Sequence, residues 1–396
     1  MKKIINKIFK LDKKLSREVL GKIKHYESKV KENNKSNNDK HINVYAFQEN
    51  GEVFLSSGDE TFYFDCHGVN KPDIEFADFA AWMFLPIAMS KNKTLMIHGQ
   101  GTKETKQNAE RLSDIWACWM PKKYSLINIE FSSYRDLEIT STKKELLLFS
   151  GGVDSTYAIL NKTFEVKPDL LTIQGMDYKI SDKESFDNAI QKTDILASKY
   201  ADERVTVRSN AYDIYKRFSI APRLSFVFVL ASVSFLYSKR YKSVTMAADF
   251  AIYQQFEELP YGSSIATDQL YDSGDFKLET FGNYVTRAEK LPSILSNDLA
   301  IKSLSLCKDK KIRPHNCGVC SKCTRTKYMM LATSGYIPEE SFINPELDQS
   351  IKLNFNANGD KQDAYIKSTY TAAFRNNNLD KIPNIVSEYQ RISSTA

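Results

Sequence analysis

The chain of 396 residues has no apolar run long enough to cross a membrane. Its most apolar stretch, Leu224–Leu236, spans thirteen residues and contains three serines. A bilayer crossing needs about 20 apolar residues, so the stretch reads as a buried helix and membrane-spanning functions are excluded. Cysteine is too scarce and too unevenly placed for a disulfide framework. There are six, four of them crowded into residues 307–323, as in a metal site of a reducing compartment. Residues 1–34 lack the apolar centre of a secretory signal and are broken throughout by charge. The expectation is a cytoplasmic protein. The phosphate-binding pattern GxxxxGK[ST] is also missing, which excludes one common nucleotide fold. Finally, most of the chain carries little net charge. The total is +6, but residues 1–40 hold thirteen Lys/Arg against five Asp/Glu, or +8, leaving −2 for residues 41–396. The body therefore lacks the basic surface of a nucleic-acid binder, and nucleic acid is not expected as a partner.

What is present is ample material for a core, with 42% hydrophobic and 12% aromatic residues. The most informative stretch runs from Leu147 to Leu160, LLFSGGVDSTYAIL. Glu145 to Phe149 has strand character and Ser155 to Leu160 begins a helix. A strand that ends in Ser-Gly-Gly and turns directly into a helix points several backbone N–H groups into one concavity. The helix N-terminus adds partial positive charge, and glycine lets an anion approach the backbone. Ser150, Gly151, Gly152, Asp154, Ser155 and Thr156 are the expected phosphate-binding residues, with hydroxyl donors from Ser150, Ser155 and Thr156. Asp154 is placed to hold Mg²⁺, and Asp154 and Ser155 are the expected catalytic residues. The rival reading is a plain strand-to-helix turn with Asp154 or Ser155 as a cap.

In chain order, Ile4, Ile8, Leu11, Leu15, Val19, Ile23, Tyr26 and Val30 recur at helical spacing among lysines. They predict an amphipathic basic helix that packs on the body or a partner; with its linker it occupies residues 1–40. Residues 41–142 read as an α+β module. It opens with a three-stranded meander turning at Asn50-Gly51 and Gly58, followed by helices over Phe76–Ser90 and Lys103–Trp119. His67 and His98 read as structural histidines. Residues 143–300 alternate strand and helix, the pattern of an open parallel sheet. Ligands of such sheets lie beyond the strand carboxyl ends. That rule places Ser150–Ser155, Gln174–Asp177, Ser209-Asn210 and Asp249 on one rim. Gly262-Ser263-Ser264 and Thr267-Asp268 form a polar cluster suited to phosphate or substrate. Arg287 and Lys290 read as surface charges, and Cys66 and Cys118 as core thiols. Residues 336–396 form a helical tail.

The second strong signal, in residues 301–335, is Cys307-x9-Cys317-x2-Cys320-x2-Cys323. Two residues between cysteines let adjacent thiolates turn back onto one ion, and a fourth from a preceding loop completes a tetrahedron. Zn²⁺ is the expected occupant, in a bracing role. The alternative is an iron–sulfur cluster.

The SGGVDS string resembles the SGGxDS signature of the PP-loop ATP pyrophosphatases. Combined with the later Cys…Cys-Gly-x-Cys-x-x-Cys-x-Arg, it resembles the 7-cyano-7-deazaguanine synthase (QueC) family, over about residues 145–335. The resemblance implies an α/β fold with an open parallel sheet of the PP-loop (adenine nucleotide alpha hydrolase-like) type. Beside that sheet lie the N-terminal α+β module and a C-terminal zinc-binding and helical region. It also implies an ATP-dependent ligase that adenylates the carboxylate of a 7-deazaguanine acid and forms an amide or nitrile, with ATP, Mg²⁺ and Zn²⁺ as cofactors. Two departures stand out. Gln174-Gly175-Met176-Asp177 lacks the Arg-His of the family segment, and some 140 residues precede the loop. Extended relatives of this type, found in antiphage defence operons, imply attachment of a deazaguanine to a protein partner encoded nearby. A tRNA-type sulfur transferase, a nucleotide-sensing interaction protein and a homodimeric assembly are the other expectations. Asp177 and Asp249 are candidate general bases from position alone.

Overall fold

The computed structural model describes residues 17–33, 40–68, 71–138, 141–347 and 362–394. Ten strands form one sheet. They are β1 (His41–Glu49), β2 (Glu52–Ser56), β3 (Thr61–His67), β4 (Thr94–Gly101) and β5 (Ile129–Tyr134). These are followed by β6 (Leu146–Leu148), β7 (Asp169–Gln174), β8 (Arg204–Ser209), β9 (Val244–Ala247) and β10 (Leu278–Phe281). The helices among the described residues begin with α1 (Arg17–Asn33), α2 (Asp78–Lys91), α3 (Lys103–Trp119), α4 (Val153–Asn161) and α5 (Lys183–Tyr200). Next come α6 (Ala211–Arg217), α7 (Pro222–Phe235), α8 (Ile252–Glu258) and α9 (Arg287–Leu295). The last are α10 (Asp298–Ser303), α11 (Ser321–Ser334), α12 (Gln362–Arg375) and α13 (Pro383–Ser393).

The strand order is β10-β9-β6-β7-β8-β3-β2-β1-β4-β5. The pairings are parallel except where the meander β1-β2-β3 runs into β8, so the protein is α/β with a mostly parallel sheet. The meander is as expected. Its junction with β8 puts residues 41–142 and the later strands into one continuous sheet. Asn210 fastens that seam, accepting from Tyr63 N (2.8 Å) and donating to Thr61 O (3.1 Å).

Period-2 alternation splits the sheet between two cores. Leu146 and Leu148 enter the core that holds α2, α3 and α7. Leu147 and Phe149 enter the other, with α4, α9, α11 and α12. Helix α2 is apolar on every side and buried from Asp78 to Met89, as a helix inside a core must be. Pro222 opens α7 at a position where its missing N–H costs nothing. The apolar run 224–236 is buried as expected.

The second half of the basic helix packs on the body. Tyr26 stacks on Phe47 at 4.3 Å and lies 4.9 Å from Phe54, Val30 is fully buried, and Lys22 pairs with Glu52 at 2.6 Å. Ile4, Ile8, Leu11 and Leu15 lie outside the described residues. Cys118 is exposed, because α3 turns it away from the Trp116 face, and Cys66 is half-buried; only the latter touches the core. No helix among the described residues is long and apolar enough to cross a membrane.

Candidate functional site

β6 lies between β7 and β9, where the chain order reverses, and its carboxyl end delivers the 150–155 loop to the rim of the sheet. Such a switch point opens a crevice between neighbouring connections. Gly151 has φ +74, and a Cβ there would lie 2.4 Å from Thr193 Cγ2, so only glycine passes. Its carbonyl accepts from Ser305 N at 2.8 Å. Ser155 Oγ accepts from Ser150 N and donates to Gly152 O, both at 3.3 Å, and Ser150 Oγ accepts from Gly152 N at 3.4 Å. The two hydroxyls thus brace the turn from within, while α4 directs its first N–H groups into the crevice. Thr156 corrects its expected role as a phosphate donor. It is fully buried, does not line the crevice, and contributes its N–H to Gly152 O at 3.0 Å.

The crevice has a volume of about 690 Å³ and is walled by Ser150, Gly152–Ser155, Met176, Asp177, Asp249 and Arg287, among others. Gln174 is not in it. Its buried amide donates to the carbonyls of Lys179 (2.9 Å) and Asp182 (3.0 Å) and so shapes the turn that presents Met176, Asp177 and Tyr178. Asn210 serves the seam instead. The 262–268 cluster is folded onto itself: Ser263 Oγ donates to Asp268 Oδ2 (2.7 Å) and Ser264 N to Asp268 Oδ1 (3.0 Å). His98 sits 2.9 Å from Asn43 Oδ1 and stacks on Tyr45, and His67 pairs with Asp65 at 2.8 Å. Both histidines are structural.

Sequence reasoning missed the charges that dominate the loop. Arg287 Nη2 lies 2.5 Å from Asp154 Oδ2 and 3.4 Å from Asp249 Oδ1, and Lys290 Nζ lies 2.9 Å from Asp154 Oδ1. Lys290 has no exposed side-chain surface. These are not surface charges, because α9 packs on α4 and turns both cations inward. The spacing holds a signal: Arg287, Lys290, Leu291 and Ile294 fall on one helical stripe (i, i+3, i+4, i+7), so the cations share the core face. Tyr365 of α12 completes the ring, its hydroxyl accepting from Arg287 Nη1 at 3.2 Å.

Burial works to raise the Asp154 carboxyl, but Arg287 and Lys290 outweigh it and hold the group below the usual carboxylate range. Burial and the adjacent Asp154 charge push Asp249 up, with Tyr261 Oη donating to it at 2.7 Å. The two acids are thus pushed apart in acidity, as in sites that divide acid and base roles. At the mouth, crowding by the cleft walls raises Asp177, whose side chain is still 59 % exposed. Lys322, Arg313 and Lys310 win and hold it low.

No protein-family model, curated protein or solved structure matches this chain. What the site can do therefore rests on its own geometry.

Beside the mouth, the Sγ atoms of Cys307, Cys317, Cys320 and Cys323 all lie within 4.8 Å of one another. The Cys307–Cys320, Cys317–Cys323 and Cys320–Cys323 separations are 3.8, 3.9 and 3.4 Å. Four sulfurs at about 2.3 Å from one ion, arranged tetrahedrally, stand about 3.8 Å apart. The donor set therefore fits a single metal ion such as zinc, whereas a cubane cluster would spread the thiolates over separate irons. The N–H groups of Asp309 (3.3 Å), Val319 (3.4 Å) and Cys320 (3.3 Å) point at Cys307 and Cys317 sulfurs. Asn316, which sequence reasoning also missed, ties the ligand loops. It accepts from Leu306 N (2.9 Å) and Cys307 N (3.3 Å) and donates to Leu304 O and Ser341 O, both at 3.0 Å. Gly318 makes a tight turn at φ +81 between the ligand cysteines.

Proposed function

We propose that the chain is a PP-loop ATP pyrophosphatase of the 7-cyano-7-deazaguanine synthase-like type. It would be an ATP-dependent ligase that adenylates the carboxylate of a 7-deazaguanine acid and passes the acyl group to an amine, with a protein encoded nearby as an acceptor in antiphage defence. The observation that carries this reading is the Ser150–Ser155 loop opening at the strand switch point into a crevice lined by Asp154, Arg287 and Asp249, with Lys290 buried behind Asp154. Such a crevice offers a backbone cradle for phosphates, one lining cation, Arg287, for departing pyrophosphate, and a carboxylate of raised pKa for proton removal.

In the first step a carboxylate oxygen bonds to the α-phosphorus and the bridge to the β-phosphate breaks. The loop N–H groups, Ser150, Ser155 and Arg287 face the charge that develops on the leaving pyrophosphate. Mg²⁺ brought in with ATP would have to share the Asp154 carboxylate with Arg287 and Lys290, which take both its oxygens here, and would supply further charge neutralisation. In the second step the amine nitrogen bonds to the acyl carbon, the acyl C–O bond breaks so that AMP leaves with the oxygen the carboxylate supplied, and the amine proton passes to a base. Asp249 is better placed for that than Asp177, because Asp177 stands at the exposed mouth and is held low by three cations. The four cysteines would hold Zn²⁺ as a brace. Neither Cys66 nor Cys118 lines the crevice; the one cysteine that does, Cys307, belongs to the four-thiol cluster, which disfavours a sulfur-transfer reading.

The test is to incubate the purified chain with ATP, Mg²⁺, a 7-deazaguanine acid and ammonium, and to resolve the nucleotides by chromatography. AMP and pyrophosphate in equal amounts, dependent on the acid, are expected. Release of ADP and phosphate, or turnover indifferent to the acid, refutes the reading.

A further inference from the structure

The cleft has a second charged end that the phosphate loop does not explain. Lys308, Lys310 and Arg313, on the loop after the first metal-site cysteine, and Lys322, in the first turn of α11, all line the crevice. The acids among them are Asp177 and, on the same loop as the lysines, Asp309, whose Oδ1 accepts from Lys311 N at 3.0 Å. Arg313 clasps Asp177, donating to the Asp177 carbonyl and to Cys307 O (2.5 Å) and standing 3.7 Å from the Asp177 carboxylate. A lysine in the first turn of a helix opposes the helix dipole, so the position of Lys322 calls for a compensating anion.

The metal site is the first candidate for that anion, since a divalent ion in four thiolates carries two net negative charges. It already has two counter-charges, Lys192 half-buried and Lys327 buried. Lys192 donates to Leu304 O (2.7 Å) and Pro314 O (3.1 Å), and Lys327 donates to Asn344 O (2.5 Å) and Glu346 O (2.7 Å). Both stand close enough to Cys323 for its charge to act on them. The rim cations act across the cleft on Asp177 instead. With the cluster balanced from inside, the mouth keeps a surplus of positive charge in a body whose total is negative.

We propose that this rim is a docking edge for an acidic segment of polypeptide, which leads the acceptor protein's amine into the cleft; its role as acceptor guide rests on the ligase reading above. The layout favours an extended chain over a compact phosphate. Lys308 and Lys310 are exposed and stand outward on the loop, whereas Arg313 and Lys322 lie deeper. The cations are therefore strung along a path of separated charges.

The probe is a fluorescein-labelled hexaglutamate peptide, titrated by anisotropy against the zinc-loaded full chain at low salt. Binding is expected to weaken at least tenfold in a Lys310→Glu/Lys322→Glu variant of unchanged circular dichroism and zinc content, and to weaken with added salt. A control Lys216→Glu/Lys242→Glu variant should bind as the parent does, and saturating ATP–Mg²⁺ should leave the peptide bound. Equal affinity in the rim variant, an equal loss in the control, or displacement of the peptide by ATP or tripolyphosphate would overturn the proposal. Peptide binding in a chain that releases no AMP would remove the ligase reading and leave the docking edge standing.

Discussion

At Asp154 two cations with little or no exposed surface meet one carboxylate: Lys290 is fully buried and Arg287 keeps 13 % of its side-chain surface. Removing the acid leaves Arg287 only the more distant Asp249 and strands Lys290 without an anion, and a buried charge without its partner typically costs about 3–5 kcal/mol. Asp154→Ala should therefore abolish AMP release and also lower the melting temperature, where a residue that only held metal would leave the fold untouched. Asp154→Asn combined with Lys290→Met should recover much of the melting temperature and none of the activity. Equal melting of parent and single variant would sink the ion-network account. Because Asp154 is held low, its stabilising effect is present above the unfolded value of about 4 and is lost only as pH falls through the lower folded value. Asp268 behaves in the opposite way. Burial pushes its carboxyl up to about 6, although Ser263, Ser264 and Thr280 donate to it. Between about pH 4 and 6 the folded state keeps a proton that the unfolded state has released, so stability falls as pH rises across that window. The loss is on the order of 3 kcal/mol. Asp268→Asn should flatten that part of the stability–pH curve measured by urea denaturation, and an unchanged slope would assign the titration elsewhere.

At the scale of elements, the four-cysteine cluster draws its parts from one loop and one helix start, so its stability depends on what ties them. Purified chain should contain one zinc per molecule with no visible absorbance, and Cys320→Ser should lose the metal and destabilise the fold. Asn316→Ala keeps all four thiols yet removes the ties to Leu304, Leu306, Cys307 and Ser341. It should release zinc to a chromogenic chelator at least tenfold faster than the parent; release at the parental rate would reduce Asn316 to a bystander, and a brown, iron-containing protein would replace the zinc assignment altogether. These elements show how far local pattern reaches. Helix α3 was legible to the residue, Lys103–Trp119, because its apolar positions recur every three to four and Thr102 caps it. The 150–155 loop and the four cysteines were legible because each is a chemical motif carried in one short stretch. β10 was not legible, since four residues hold too little period and its pairing with β9 is set only in the fold. Nor was the inward turn of α9, because its two cations look like solvent-facing charge until α4 is packed on them. Gly262–Asp268 misled for a related reason, its hydroxyls being consumed by its own buried aspartate.

For the whole molecule, the decisive contact is the antiparallel seam of β3 with β8, where Phe64 faces Ser209 and His67 faces Thr206. Without it, residues 41–142 would form a separate body. With it, one apolar cluster runs from Ile42 and Phe64 through α2 and α7 to Leu146, Val207 and Leu278. A chain of this size often unfolds in steps, because cores that do not touch melt independently. Here the shared cluster makes each side the cover of the other, and loss of either would expose the flank of α2. Calorimetry should accordingly show one transition carrying these two regions, with the calorimetric enthalpy close to the van't Hoff value. Asn210 gives the discriminating variant, because it lies outside both cores' apolar contacts and fastens only the seam, through Tyr63 N and Thr61 O. In Asn210→Ala those two backbone groups lose their partners, at a cost of about 1–3 kcal/mol. If the two regions fold as one unit, the single transition should shift down intact. If the seam is a docking contact between independent bodies, the same variant should split the transition in two, with the first melting the meander, α2 and α3. A split in the variant, or two transitions already in the parent, would overturn the unity of the sheet. A single shifted peak would mean that the 150–155 loop and the meander, more than eighty residues apart in the chain, stand or fall together.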